Sequence, residues 1–166
     1  MQIFLIAAIS QNGMIAEKEG QTTPDWTSRE DMDFFVKKTK EAGVVIMGRK
    51  TFDTIGNPLV DRLNIVMTRS AKGKDHVPAM LEFTQRPPQE IIKDLRSRGY
   101  EDVAVIGGAE IFKQFLGADL VTDLFLTTEP IVFEEGILFP EFSKDEYQLE
   151  ETIKLNKTAV LNHYKK

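Results

Sequence analysis

The run Val44-Val45-Ile46-Met47 ends abruptly at Gly48, and Arg49, Lys50, Thr51 and Phe52 follow. So short and apolar a run reads as a strand buried on both faces, which requires a covering layer above and below it. Gly48 allows a tight turn and lets a ligand approach the backbone. Thr51 to Ile55 then reads as a short helix. The free N–H groups at its start, with Arg49 and Lys50 beside them, would suit an anion such as phosphate. The same letters also describe an ordinary strand–turn–helix connection with two solvated cations. A second stretch repeats the logic: Val103-Ala104-Val105-Ile106, then Gly107 and Gly108, then Ala109, Glu110, Ile111 and Phe112. Two such turns at the carboxyl ends of strands in one open sheet suit a cofactor whose diphosphate crosses the crevice. Neither is GxGxxG or a P-loop, so neither names the cofactor by itself.

Composition narrows the chemistry. At 166 residues the chain is expected to form one domain over 1–166. Its 42% hydrophobic and 28% charged residues are ordinary for a soluble globular protein, and its net charge of -5 argues against nucleic acid as a partner. An anionic ligand therefore needs a local cationic pocket. The chain has no cysteine, which removes thiolate chemistry, disulfides and Cys-ligated zinc. Its two histidines, His76 and His163, are far apart, so neither a His-based metal site nor a Ser-His-Asp triad is expected. Met1 to Ser10 is apolar but short and lacks a basic leader. It is expected to be a strand rather than a signal peptide or membrane span, which makes the cytoplasm the expected compartment.

Taken in order, Ile3 to Ile9 is a buried strand whose Ala7 and Ala8 permit a flat ligand to come close. Ser10 to Trp26 reads as a long loop, either a functional lid or a passive connection. Thr27 or Ser28 can cap a helix, and helical spacing puts Asp31, Phe34, Phe35 and Thr39 on one side. Asp31 is then either a site residue near the apolar face or a solvated first-turn carboxylate favouring the helix dipole. Gly56 to Leu59 is a turn. Arg62 opens a strand over 63–67 that ends at Thr68, Arg69 and Ser70, a group that could hold a phosphate or form a plain polar turn. Residues 71–78 read as loop and 79–83 as a short strand. A helix from about Gln89 to Arg98 buries Ile91, Ile92 and Leu95. A helix through Glu110 to Leu116 follows the Gly107-Gly108 turn, and Val121 to Thr128 is a strand. Two last strands, near 147–155 and 158–164, join at Asn156-Lys157 as an antiparallel hairpin. The fold class is α/β: one three-layer domain with a mostly parallel sheet of about eight strands, a C-terminal antiparallel hairpin and about four helices.

In this order and spacing the motifs resemble the dihydrofolate reductase family from Ile3 to about Pro140. The resemblance is carried by Ile6-Ala7-Ala8, Trp26, Glu30-Asp31 with Phe35, Ile46 to Thr51, Ile55 to Leu59 with Arg62, Ile106-Gly107-Gly108, and Leu126-Thr127. It implies NADPH-dependent reduction of 7,8-dihydrofolate to tetrahydrofolate by a monomeric enzyme of one-carbon metabolism, an antifolate target with no metal. Asp31, Thr127 and Trp26 match the family's catalytic positions. Ile6, Ala8, Met32, Phe35, Thr51, Ile55, Leu59 and Ile106 match the walls of the pterin and benzoyl site, and Arg62 matches the clamp on the glutamate α-carboxylate. Ala8, Ile15, Gly48, Arg49, Lys50, Thr51, Thr68, Arg69, Ile106, Gly107, Gly108, Ala109, Glu110, Ile111 and Phe112 match the NADPH positions.

The chain also departs from the family's pattern. The loop before Trp26 is longer than in typical bacterial members. Ala109 stands where a third glycine is common, and Glu110 replaces a common basic residue. Glu135-Gly136-Ile137-Leu138 occupies the place of an Asp-Thr pair before the Phe139-Pro140 loop, which predicts loss of a lid-anchoring contact. The short tail resembles the related reductase domain of riboflavin synthesis. Reduction of a ribosylamino-pyrimidine phosphate, or NADPH binding without turnover, are thus the alternative readings. Asp31 and Arg62 together favour the folate reading.

Overall fold

A computed structural model of the protein describes residues 1–71 and 74–166. The expected loop over 71–78 therefore includes two residues, 72 and 73, that lie outside the described ones. In chain order the elements are β1 (Gln2–Ile9), β2 (Met14–Ala16), a 3-10 turn (Thr23–Asp25), α1 (Arg29–Ala42), β3 (Val44–Gly48) and α2 (Arg49–Ile55). There follow β4 (Leu63–Met67), β5 (Leu81–Thr84), α3 (Pro88–Ser97), β6 (Asp102–Gly107) and α4 (Ala109–Gly117). The chain closes with β7 (Asp123–Thr128), β8 (Ile137–Leu138), β9 (Gln148–Lys154) and β10 (Val160–Lys165).

Eight strands form one sheet in the order β5-β4-β3-β6-β1-β7-β10-β9. The pairings from β5 through β7 are parallel, and β10 is antiparallel to both β7 and β9. The pleat separates two cores. Ile3 and Leu5 of β1 join Ile91, Ile92 and Leu95 of α3 and Phe112 and Phe115 of α4. Phe4 and Ile6 join the opposite face, where Phe34, Phe35 and Phe52 of α1 and α2 pack. Each fully buried side chain of this size contributes about 1.5–3 kcal/mol of transfer free energy. The parallel sheet, its helical layers and the C-terminal hairpin are thus those expected.

Several boundaries differ for local reasons. The helix expected from Thr51 starts at Arg49, because Gly48 stays extended (φ -80°, ψ 159°) and serves as its N-cap. The strand expected at 79–83 begins at Leu81, because Ala79 sits in a turn with φ 59°. The strand expected from Val121 starts at Asp123; Thr122 instead turns its hydroxyl onto the backbone N–H and C=O of Ile3. The last hairpin does not turn at Asn156-Lys157 alone. Leu155 N–H bonds Ala159 C=O at 3.0 Å, and the Asn156 side-chain oxygen accepts from the N–H groups of Thr158 and Ala159 at 2.9 and 2.7 Å.

The segment from Ser10 to Trp26 is more ordered than its composition predicts. It carries β2, which pairs with β8, and the 3-10 turn. Asn12 donates to Phe133 C=O at 2.7 Å, Gln11 N–H to Ile131 C=O at 2.8 Å, and Phe139 N–H to Gly13 C=O at 2.9 Å. The contact expected to be lost with the Asp-Thr pair is therefore replaced by backbone pairing. Gly136 makes this possible, since a Cβ there would collide with the Ala16 carbonyl oxygen.

At the amino end of β7, Asp123 is 2% exposed. It accepts from Thr122 Oγ1 at 2.6 Å and meets His163 Nε2 at 2.7 Å. Burial pushes its carboxyl up, but hydrogen bonds from Thr122, His163 and Gln2 outweigh that and hold it below the ordinary carboxylate value. Its stabilisation is therefore present above the unfolded value, near pH 4, and lost as pH falls through the lower folded value. Asp123→Ala should cost about 1–3 kcal/mol at neutral pH and flatten the acid limb of the unfolding curve. Denaturant unfolding as a function of pH checks this, and an unchanged midpoint at pH 7 would contradict it.

Candidate active site

In a parallel sheet of this kind, ligands lie against the carboxyl ends of the strands where the chain reverses its direction of advance. Here the chain passes from β1 through α1 to β3, moves outward to β5, then returns through α3 to insert β6 between β3 and β1. The two glycine turns meet at that point. Met47 pairs with Gly107 across a register shift. A Cβ on Gly48 would stand 3.0 Å from Ile111 Cγ1 and 3.9 Å from the Gly107 carbonyl oxygen, and one on Gly108 would stand 3.5 Å from Thr51 Oγ1. The Gly107–Gly108 peptide is cis, and Gly107 has φ 118°, a conformation that favours glycine.

Asp31 lies in the first turn of α1 and is 6% exposed. The solvated first-turn reading therefore fails. Ser28 supplies the N-cap, its Oγ accepting from Asp31 N–H at 3.3 Å. Burial pushes the Asp31 carboxyl up, a hydrogen bond from Thr127 pulls it partly down and the Glu129 carboxylate pushes it up again, leaving it at about 6 against an ordinary 3.8. Thr127 is 1% exposed and stands opposite Ala8 in the β1–β7 register. Phe35, Leu59 and Ile106 pack against the cluster that contains Ile6. Met32 is half-buried beside Asp31 on α1. Ile55, at the end of α2, is 38% exposed.

Arg62 is buried at 7% exposure. Its Nε donates to Val60 C=O at 2.9 Å, and its Nη1 donates to Thr39 Oγ1. Those bonds use two of five guanidinium N–H donors, leaving a fork free. Thr39 and Asp31 share the inner side of α1, eight residues apart (39 − 31 = 8), or about 12 Å along the axis. A buried carboxylate in the first turn of α1 and a buried guanidinium bonded to Thr39 further along it thus lie on one side of the helix. Asn64 holds the Arg62 backbone in place: it is fully buried, accepts from Leu59 N–H at 2.8 Å, and donates to the carbonyls of Leu59 and Arg62 at 2.8 and 2.9 Å.

The expected phosphate cations are exposed and paired. Arg49 Nε bonds the Asp53 carboxylate at 2.8 Å, and Lys50 Nζ bonds Glu19 at 2.6 Å. Exposed pairs of this type are worth at most about 1 kcal/mol, so a phosphate can exchange for either partner. Thr68 Oγ1 accepts from Ser70 N–H at 3.3 Å, Arg69 is exposed, and Gln85 Nε2 donates to the Arg69 carbonyl. Ala109 and exposed Glu110 open α4, while Ile111 and Phe112 are buried in the core beneath the turn, with Ile15 packed against the same cluster. Trp26 stacks edge-on against Phe133, with ring centroids 5.2 Å apart. Its Nε1 and the Thr27 hydroxyl are buried without a hydrogen-bond partner among the described residues.

Sequence reasoning passed over Ser28 as more than a cap, and it missed Thr39, Asn64 and Glu129 in their buried roles. Asn64 had a signal, as the one polar residue inside the apolar run Leu63 to Met67. Glu129, directly after an apolar strand, had a weaker one.

Among the described residues no His, Asp or Glu grouping could hold a metal ion, and no helix is long and apolar enough to cross a membrane. Comparison with known proteins agrees with the geometry. The family model for dihydrofolate reductase matches residues 2–165. The chain is 31% identical over 150 residues to dihydrofolate reductase from Haemophilus influenzae, covering 90% of this chain and 86% of that one. It is 30% identical over 154 residues to the enzyme from Bos taurus, covering 87% and 81%. Among solved structures, dihydrofolate reductase from Enterococcus faecalis complexed with NADP(H) and RAB-propyl superposes with a TM-score of 0.77 at 27% identity, over 99% of this chain and 95% of that one. A family match over residues 2–165, with relatives that align along most of both chains, places the chain in the dihydrofolate reductase family.

Proposed function

We propose that the chain reduces 7,8-dihydrofolate to 5,6,7,8-tetrahydrofolate with NADPH, acting as a monomeric cytoplasmic enzyme built from residues 1–166 as one domain. The observation that carries this reading is the buried Asp31 carboxyl, bonded to Thr127 and aligned with Arg62 along α1. A carboxyl in that setting recognises the amidine edge of a pterin through paired charge-assisted bonds. Arg62 offers its free fork to a carboxylate at the far end of the substrate.

The residues present fit the cofactor. The Gly48 and Gly107-Gly108 turns let a diphosphate reach the backbone, and the cations Arg49, Lys50 and Arg69 stand at the rim for further phosphate. When bound, NADPH supplies the hydride, directed to C6 of the pterin. The chain's own residues orient the pterin, exclude water and favour the proton. Ile6, Phe35, Leu59 and Ile106 form an apolar wall, and Thr127 fixes the carboxyl's direction. With its proton affinity raised by burial, Asp31 favours protonation at N5, the proton itself arriving through water. The unpartnered Trp26 Nε1 and Thr27 hydroxyl are suited to holding such a water.

Purified protein supplied with NADPH and dihydrofolate should oxidise the cofactor. Consumption only with a ribosylamino-pyrimidine phosphate, or binding without consumption, would overturn the reading. Asp31→Asn should lower turnover on the order of a hundredfold or more while leaving NADPH binding intact. In the wild type, turnover limited by the protonated form should fall as pH rises through about 6, and that step should vanish in the variant. The same substitution should stabilise the fold. A carboxyl whose folded value is raised is most favourable below its unfolded value, and the contribution is lost as pH rises through about 6. Asn removes that loss, so the variant should gain about 1–3 kcal/mol at pH 7. A neutral-pH rate equal to wild type would contradict the role.

Arg62→Ala should raise KM for dihydrofolate about tenfold to a hundredfold and leave pterins lacking glutamate largely unaffected. Steady-state kinetics with both substrates checks this, and equal losses would count against the clamp.

A further inference from the structure

Glu129 follows directly on β7 and is 3% exposed. Its backbone N–H donates to Ile9 C=O at 2.9 Å, which ties it to the carboxyl end of β1. Its Oε1 accepts from Ser28 N–H at 2.8 Å and from Ser28 O–H at 2.7 Å. With its hydrogen committed to Glu129, the Ser28 hydroxyl presents its lone pairs to α1, where Asp31 N–H donates to it. One carboxylate oxygen thus fixes the cap that fixes Asp31. On the same strand end, Thr127 holds the Asp31 carboxyl itself. The sheet therefore grips the first turn of α1 twice, by its backbone through Glu129 and Ser28 and by its functional side chain through Thr127.

The second buried carboxylate has an electrical consequence. Glu129 is the charged neighbour that acts on Asp31, in addition to desolvation and the Thr127 bond. Neighbouring charges on α1 are turned elsewhere. Arg29 is exposed toward Asp33, and exposed Glu30 accepts from Asn156. On the flanking strand, Leu161 faces Thr127 and Val160 faces Thr128, so β10 adds no charge there. A carboxylate at a helix N-terminus also gains from the helix dipole, which offsets part of the cost of placing two acids together.

Building on the reductase reading, we propose that Glu129 is a positioning residue for Asp31. It clamps the Ser28 cap to the end of β7 and sets a second buried carboxylate against the start of α1, which Asp31 also occupies. It touches neither substrate nor cofactor in this account.

Two variants separate the clamp from the charge. Glu129→Gln keeps an oxygen that can accept from Ser28 and removes the charge. Glu129→Ala removes both. The direct readout is carbon-13 NMR titration of the Asp31 carboxyl, which needs no turnover and so stands apart from the proposed activity. In Glu129→Gln the Asp31 midpoint should fall by at least about half a pH unit. The pH at which kcat declines should fall with it, while the unfolding midpoint and NADPH affinity change little. In Glu129→Ala, kcat should drop several-fold further without a matching change in NADPH affinity. An unmoved Asp31 midpoint in Glu129→Gln would overturn the proposal. So would a kcat loss in Glu129→Ala that returns fully in Glu129→Gln with no change in the pH profile, since Glu129 would then be a structural tie alone.

Discussion

The site depends on a carboxyl held out of water at the start of a helix. Asp31 lies in the first turn of α1, where the helix dipole favours an anion. The fold nevertheless buries it until desolvation outweighs both the dipole and the Thr127 bond, and the result is a carboxyl raised to about 6. Two opposed tendencies are balanced close to physiological pH. In the proposed reaction that balance would suit one side chain both to recognise a protonated heterocycle and to favour its protonation.

The sheet supplies the rigidity this arrangement needs. β1 and β7 lie side by side in parallel register and bring Ala8 opposite Thr127. β3 and β6 bring their glycine turns together on the other side of the same crevice. Arg62 is held by Thr39 and by the Val60 carbonyl, and Asn64 ties the preceding turn to β4. Asp31 and Arg62 are thus fixed by separate hydrogen-bond sets, both anchored to strands. The segment between β1 and α1 is tied to the chain after β7 through β2–β8 pairing, which needs the absence of a side chain at Gly136.

Much of the frame was legible in the sequence because its signals are local. Four-residue apolar runs stopped by glycine mark buried parallel strands, and helical spacing put Asp31 on the same side as Phe35 and Thr39. What stayed hidden is carried by partners far apart in the chain. Glu129 and Ser28 are separated by 101 residues, and Asn12 and Phe133 by 121. β2 and β8 span three and two residues, too short for alternation to show. The Arg49 and Lys50 cations were readable, but the pairing of Lys50 with Glu19 was not, because it depends on where the segment between β1 and α1 lies. Ala79 entered a left-handed turn that no glycine announced.

The central claim is that burial, opposed by Thr127 and reinforced by Glu129, raises the proton affinity of Asp31. Carbon-13 NMR titration of selectively labelled aspartate in the wild-type protein reads that quantity without any assumption about turnover. The account predicts a midpoint close to 6 for the Asp31 carboxyl. A midpoint near the ordinary aspartate value of about 4 would contradict it.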